Sequence, residues 1–134
     1  MRLILIALGM MVTAASAQEP TLPKDVPVVD GAIVCGCADQ CAAMWSTVES
    51  NIEQFSGMRI RLDTGTLIET YATQGAGQYT GTAHKSPMVG QSYRIDVSFV
   101  PYYPSLQSAA DGMAGVVLRM AAMQSMIHDC PAPR

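Results

Sequence analysis

Apolar and polar positions alternate with the period of a helix between Ala38 and about Ser56. The apolar positions follow one another in steps of four and three residues, which places them on one stripe of a helix. The stripe consists of Cys41, Trp45, Val48, Ile52 and Phe55. Asp39 lies in the first turn, where a carboxylate interacts favourably with the helix dipole, and Gly57 is a residue type that commonly ends helices. The pattern predicts an amphipathic helix.

A second helical pattern begins at Ser105, a candidate N-cap, and ends at Pro131. Its apolar residues again alternate steps of three and four, so we expect them to form a buried seam. The seam consists of Leu106, Ala109, Met113, Val116, Met120, Met123, Ile127 and Cys130. In this assignment Met126 and His128 leave the seam, and the other methionines fill gaps in the core.

Between the two helices the period changes to two, which is typical of strands. The predicted strands cover residues 58–63, 67–73, 78–84 and 93–99, and the last is the clearest. Thr64-Gly65 and Gly75-Ala76-Gly77 are turn candidates, and residues 85–90 are expected to form a looser loop. Pro101 and Pro104 stop the last strand.

The order helix, four strands, helix predicts an α+β domain with two layers. In an antiparallel meander each strand reverses direction, so four strands return the second helix antiparallel to the first. Both helices are expected on one face of the sheet. The opposite face would then carry mixed charge, from Arg59, Arg61, Asp63, Arg94 and Asp96.

The N-terminal 17 residues have the pattern of a signal peptide. Arg2 precedes an uncharged apolar segment, and Ala15-Ser16-Ala17 fits a cleavage site before Gln18. The apolar segment is shorter than the roughly 20 residues that a membrane span requires. Residues 18–34 then form an extended, Pro-rich leader that includes a candidate edge strand, and residues 35–134 form one domain. We expect export, to a bacterial periplasm or otherwise to the exterior.

Composition narrows the classes of partner. Without Arg2 the chain has seven Lys and Arg against eleven Asp and Glu, a net charge of −4. Nucleic-acid binders usually carry a basic patch, so the charge argues against that class and against docking on anionic membrane. Nearly half of the residues are hydrophobic, which is enough for one core.

Four cysteines in an exported chain of this size predict two disulfides. Cys35, Cys37 and Cys41 lie within seven residues, and Cys130 lies near the other end. Pairing Cys41 with Cys130 would force Cys35 onto Cys37 in a strained small ring. We therefore expect Cys130 to bond Cys35 or Cys37, with Cys41 taking the other. The alternatives are thiol chemistry, or zinc held by these thiolates with Cys130 or His128.

The C-terminal segment suggests a second alternative. Met120, Met123 and Met126 are spaced three residues apart and are followed by His128 and Cys130. Thioethers are soft ligands that suit Cu(I). The alternative metal site therefore consists of Met126, His128 and Cys130, with copper or zinc, whereas the main prediction contains no cofactor.

The remaining motifs carry little catalytic chemistry. Asp63-Thr64-Gly65 matches the tripeptide of aspartic proteases, but those enzymes need a second such carboxylate, and a hairpin turn explains the tripeptide equally well. Tyr102 and Tyr103 lie between two prolines and are either a recognition tip or a cover for the core.

The sequence thus predicts a small exported binding module without catalytic activity. Its partner would be another exported protein or a small apolar ligand held between the sheet and the Met-rich helix. The alternative function is that of a metal or thiol protein.

Overall fold

A computed structural model describes residues 28–29 and 31–131 of the chain. The predicted signal peptide at 1–17 and residues 18–27 of the leader lie outside the described residues. The elements are, in chain order, β1 (Val28–Val29), β2 (Ala32–Cys35), α1 (Ala38–Ser56), β3 (Ile60–Asp63), β4 (Leu67–Thr70), β5 (Tyr79–Pro87), β6 (Tyr93–Pro101), a 3₁₀ turn (Pro104–Leu106), α2 (Gln107–Ala122) and a second 3₁₀ turn (Met123–Met126).

One antiparallel sheet contains all the described strands, in the order β1-β2-β6-β5-β4-β3. The predicted four-stranded meander is present as β3 to β6, because each of these strands pairs with the next along the chain. The sheet is nevertheless larger than predicted. Strand β2 pairs with the free side of β6, where Ile33 faces Ile95, and β1 pairs with β2 in turn.

Both helices contribute to one hydrophobic core on one face of the sheet, which confirms the α+β class and the two-layer arrangement. Alternate residues of the central strands face this core, as the period of two predicts. They include Ile95, Val97 and Phe99 of β6, Ala83 of β5 and Ile68 of β4. Helix α1 contacts mainly β5 and β4, whereas α2 contacts mainly β6.

Helix α1 follows its predicted stripe. Cys41, Trp45, Val48 and Ile52 are buried, and Phe55 packs against the core from its edge. The helix ends at Gly57, whose φ of 70° is the left-handed conformation that glycine adopts without a Cβ penalty.

The buried face of α2 differs from the predicted seam. Met120, Met123 and Ile127 are exposed, and so are Leu106 and Ala109. The side chains that face the core are instead Ala110, Ala114, Val117, Leu118, Ala121 and Ala122. Helix α2 is apolar on nearly all sides, so spacing alone does not choose a face. The alanines face the sheet because their small side chains let the helix approach it closely.

The boundaries of α2 and β5 also correct the sequence prediction. Ser105 lies inside the first 3₁₀ turn and does not cap α2, whose N-cap is Leu106. The α-helix ends at Ala122, well before Pro131, and continues as the second 3₁₀ turn. Strand β5 extends to Pro87, so Lys85 belongs to a strand and not to the loop that was expected there.

Candidate functional site

A cavity of about 360 Å³ lies between α2 and the β2–β6 side of the sheet. Its walls are largely apolar. Ile33 and Val97 come from the sheet, and Ala114, Leu118 and Ala122 come from α2. Gly31, Ser98, Asp111, Gly115 and Arg119 complete the lining. An apolar cavity of this size with a few polar groups has the composition of a small-molecule site.

Small residues on α2 create this space. Ala114, Gly115 and Ala122 line the cavity at positions where larger side chains would fill it. A Cβ atom built on Gly115 would meet only the Arg119 guanidinium, with Nη1 3.7 Å away. The Arg119 side chain therefore lies back along the helix over Gly115. It forms no ion pair with any other residue that the structure describes.

Asp111 provides the second charge of the lining, one helical turn before Gly115. Its Oδ1 accepts a hydrogen bond of 2.8 Å from Gln107 Nε2, which also donates to the backbone oxygen of Phe99 at 3.1 Å. Gln107 thus connects the first turn of α2 to strand β6 and orients Asp111. The cavity has a cation and an anion on the same helix, eight residues apart.

Two disulfides close the end of the domain where α1 begins. They join Cys35 to Cys41 and Cys37 to Cys130, which is one of the two pairings that the sequence left open. The second one connects the start of α1 with the chain beyond α2, in agreement with the predicted antiparallel helices. Gln40 strengthens this junction, since its Oε1 accepts from Gly36 N and its Nε2 donates to His128 O.

The disulfides also change the alternative metal site. All four cysteines are oxidised in this structure, so Cys130 is not available as a thiolate ligand beside Met126 and His128. Thiol exchange and thiolate zinc sites need the reduced form. Among the described residues, no group of three or more His, Cys, Asp or Glu side chains lies close enough to hold a metal ion.

A row of methionines lies on the surface at the end of α2. Met120, Met123 and Met126 are 37%, 43% and 63% exposed, while the neighbouring Ala121 and Ala122 are buried. The sequence indicated the spacing of these residues but assigned two of them to the core. We call Met120, Met123 and Met126 the thioether row.

Trp45 and Lys85 form a contact that sequence reasoning missed. The Lys85 ammonium lies 5.2 Å from the centroid of the Trp45 ring and 5.4 Å from that of Tyr93, within the range of cation–π attraction. The buried Trp45 Nε1 has no hydrogen-bond partner among the described residues. The period of two along β5 could have predicted this contact. Lys85 lies two residues after the buried Ala83 and therefore shares its face of the sheet.

Tyr102 and Tyr103 lie on the surface and do not cover the core. They are 46% and 50% exposed, and their rings meet edge to face with centroids 4.9 Å apart. The pair is therefore accessible to a partner.

The other singled-out residues lie in structural positions. Asp63 Oδ1 accepts a hydrogen bond from Gly65 N, as in the predicted hairpin turn. On the outer face of the sheet Arg61 pairs with Glu69, and Arg94 and Asp96 are half-buried.

Comparison of this chain with family models, with curated proteins and with solved structures gives no match. Of the helices in the described part of the chain, none combines the length and the apolar character that a membrane crossing requires.

Proposed function

We propose that this chain is a small exported binding module that holds an apolar ligand in the cavity between α2 and the sheet. The observation that carries the proposal is the cavity itself, about 360 Å³ with Ile33, Val97 and Leu118 in its walls. The cavity opens to solvent beside Asp111 and Arg119, so a ligand that enters it would displace water from the apolar walls. The volume lies within the range of small-molecule sites.

The charges of the lining define the ligand further. The apolar walls of the cavity offer a ligand dispersion and hydrophobic contacts only. Most of the ligand is therefore hydrocarbon. Asp111 and Arg119 also line the cavity, but both side chains are exposed and remain in contact with water. A ligand with an apolar body and one polar end directed outward fits this distribution.

Export is part of the same proposal. Two disulfides in a small domain are typical of chains that fold in an oxidising compartment. A mature chain beginning at Gln18 and four hydrogens lighter than its reduced mass, recovered from the exported fraction of the source cell, supports it. An uncleaved chain with four thiols in the cell interior contradicts it.

The binding proposal is tested by filling the cavity. Ala114→Leu adds three carbons at the wall, and Gly115→Val narrows the same space from the next position. Ala109→Leu is the matched control, since Ala109 is exposed on the same helix. Binding is measured by titration with the uncharged fluorescent probe N-phenyl-1-naphthylamine, and folding by thermal denaturation.

We expect Gly115→Val to remain folded and to bind the probe at least tenfold more weakly than the wild-type chain, with no change for Ala109→Leu. Ala114→Leu should weaken binding as strongly but also lower the melting temperature, because Ala114 packs against the core. Equal binding by all four proteins overturns the proposal, because the probe then binds elsewhere. Failure of the wild-type chain to bind the probe or to retain any small molecule under native mass spectrometry overturns it as well.

A further inference from the structure

The thioether row is an exposed set of soft donors that the cavity does not use. Met120 lies in the last turn of α2, and Met123 and Met126 are the first and last residues of the following 3₁₀ turn. Residues three apart on an α-helix have Cβ atoms about 5–6 Å from each other. In a 3₁₀ turn, side chains three apart eclipse one another. Met123 and Met126 are therefore nearly in line, and Met120 lies one turn earlier, offset around the helix axis by about 60°.

The exposure of these residues is unusual for their position. On the same two turns the small side chains Ala121 and Ala122 are buried, whereas the large Met120, Met123 and Met126 face solvent. Packing alone would favour the opposite distribution, because a buried methionine removes far more apolar surface from water than an alanine. The core therefore does not account for this exposed apolar segment, which also includes Ile127, 72% exposed.

The chemistry of the surroundings selects the ion. Both disulfides are formed, so no thiolate competes with the thioethers. From Met120 to His128 the sequence contains no carboxylate, the ligand that hard cations favour, and the next acidic residue is Asp129. Thioether sulfur prefers soft ions, and Cu(I) is the biological ion that it selects.

The backbone beneath the row is held in place. The amides of Ile127 and His128 both donate to Gln124 O, and His128 O accepts from Gln40 Nε2 of α1. The Cys37–Cys130 disulfide anchors the chain immediately afterwards. The methionine side chains are flexible, but their Cα positions belong to a segment that is tied to α1 at two points.

We propose that Met120, Met123 and Met126 form a three-thioether site for one Cu(I) ion on the surface of this domain. The site is independent of the apolar cavity, which lies on the sheet-facing side of α2. It replaces the alternative site of Met126, His128 and Cys130, because Cys130 is oxidised and the structure exposes Met120 and Met123. Binding requires no electron transfer, since the ion is taken up as Cu(I).

The test uses the oxidised full chain and Cu(I) supplied anaerobically as its tetrakis-acetonitrile salt, in competition with the chromophoric chelator bicinchoninate. Met120→Leu, Met123→Leu and Met126→Leu each remove one sulfur while keeping an apolar side chain of similar volume. Met88→Leu and Met113→Leu are the matched controls, because both residues lie outside the row. Native mass spectrometry gives the stoichiometry and shows that both disulfides persist.

We expect one Cu(I) per wild-type chain, a loss of affinity of at least tenfold for each row variant, and no change for the two controls. The triple variant should not compete with the chelator. Competition by the triple variant equal to that of the wild-type chain overturns the proposal. The proposal is also overturned if His128→Asn abolishes Cu(I) binding while the three methionine variants retain it, because the ion is then bound by the imidazole. A wild-type chain that does not compete overturns it directly. None of these outcomes depends on the cavity.

Discussion

Gly81 of β5 lies directly against Ile52 of α1. A Cβ atom built on Gly81 would come within 2.9 Å of Ile52 Cγ1 and within 3.1 Å of Phe99 Cε1. The Gly81 amide also donates to Thr70 Oγ1 at 2.8 Å, so the strand cannot move away without losing a buried hydrogen bond. This contact sets how closely α1 approaches the sheet.

Replacing Gly81 by alanine should therefore destabilise the domain. The extra methyl group overpacks the junction between α1, β5 and β6, and we expect the free energy of unfolding to fall by about 1–3 kcal/mol. Urea denaturation followed by the fluorescence of Trp45, the single tryptophan, measures the change. Gly75→Ala is the control, because a Cβ atom there meets nothing within 4 Å. Equal stability of the two variants contradicts the close approach.

Removing the Cys37–Cys130 disulfide should cost more than most single substitutions. The two residues are 93 positions apart, so the crosslink restricts the unfolded chain strongly. Loss of such a bridge lowers the free energy of unfolding by about 2–5 kcal/mol. The double variant Cys37→Ser with Cys130→Ser leaves no unpaired thiol and is compared with the wild-type chain by thermal denaturation. An unchanged melting temperature would show that this bridge does not stabilise the fold.

The positive charge of Lys85 should contribute less to the free energy of unfolding than the aliphatic part of its side chain. Lys85→Met keeps the apolar stem over Trp45 and removes the cation, so we expect a loss of about 0.5–1 kcal/mol in unfolding free energy. Lys85→Glu places an anion over the negative faces of Trp45 and Tyr93 and should cost more. Urea denaturation ranks the variants, with Ser86→Glu as the control because Ser86 is exposed on the same strand. A Lys85→Glu chain as stable as Lys85→Met would refute the cation–π contact.

Replacing Tyr102 and Tyr103 together by serine should leave the fold intact. Both side chains are about half exposed and neither belongs to the core, so we expect the melting temperature to change by no more than a few degrees. Circular dichroism during heating provides the measurement. Phe99→Ser is the contrasting variant, since Phe99 is buried in the core and its replacement should unfold much of the chain. Unfolding of the double tyrosine variant would assign the pair to the core.

The sequence by itself determined the elements with one clearly apolar side. Helix α1 has charged residues opposite Val48 and Ile52, and β6 alternates Ile95 and Val97 with Arg94 and Asp96, so each pattern allows one buried face. Ring strain excluded a bond between Cys35 and Cys37, and the turns indicated the four-strand meander. These features depend on residues near one another in the chain.

Only the tertiary structure decided which side of α2 is buried. Alanine, valine and methionine side chains lie on nearly all sides of this helix, so its hydrophobic pattern allows more than one face to be the buried one. Packing against the sheet decided which face of α2 is buried, because the alanines allow a close approach there. This orientation leaves the cavity on one side of α2 and the thioether row on another. The pairing of β2 with β6 was likewise decided by contacts between residues about 60 positions apart, which no local pattern records. Both candidate sites arise from these long-range contacts.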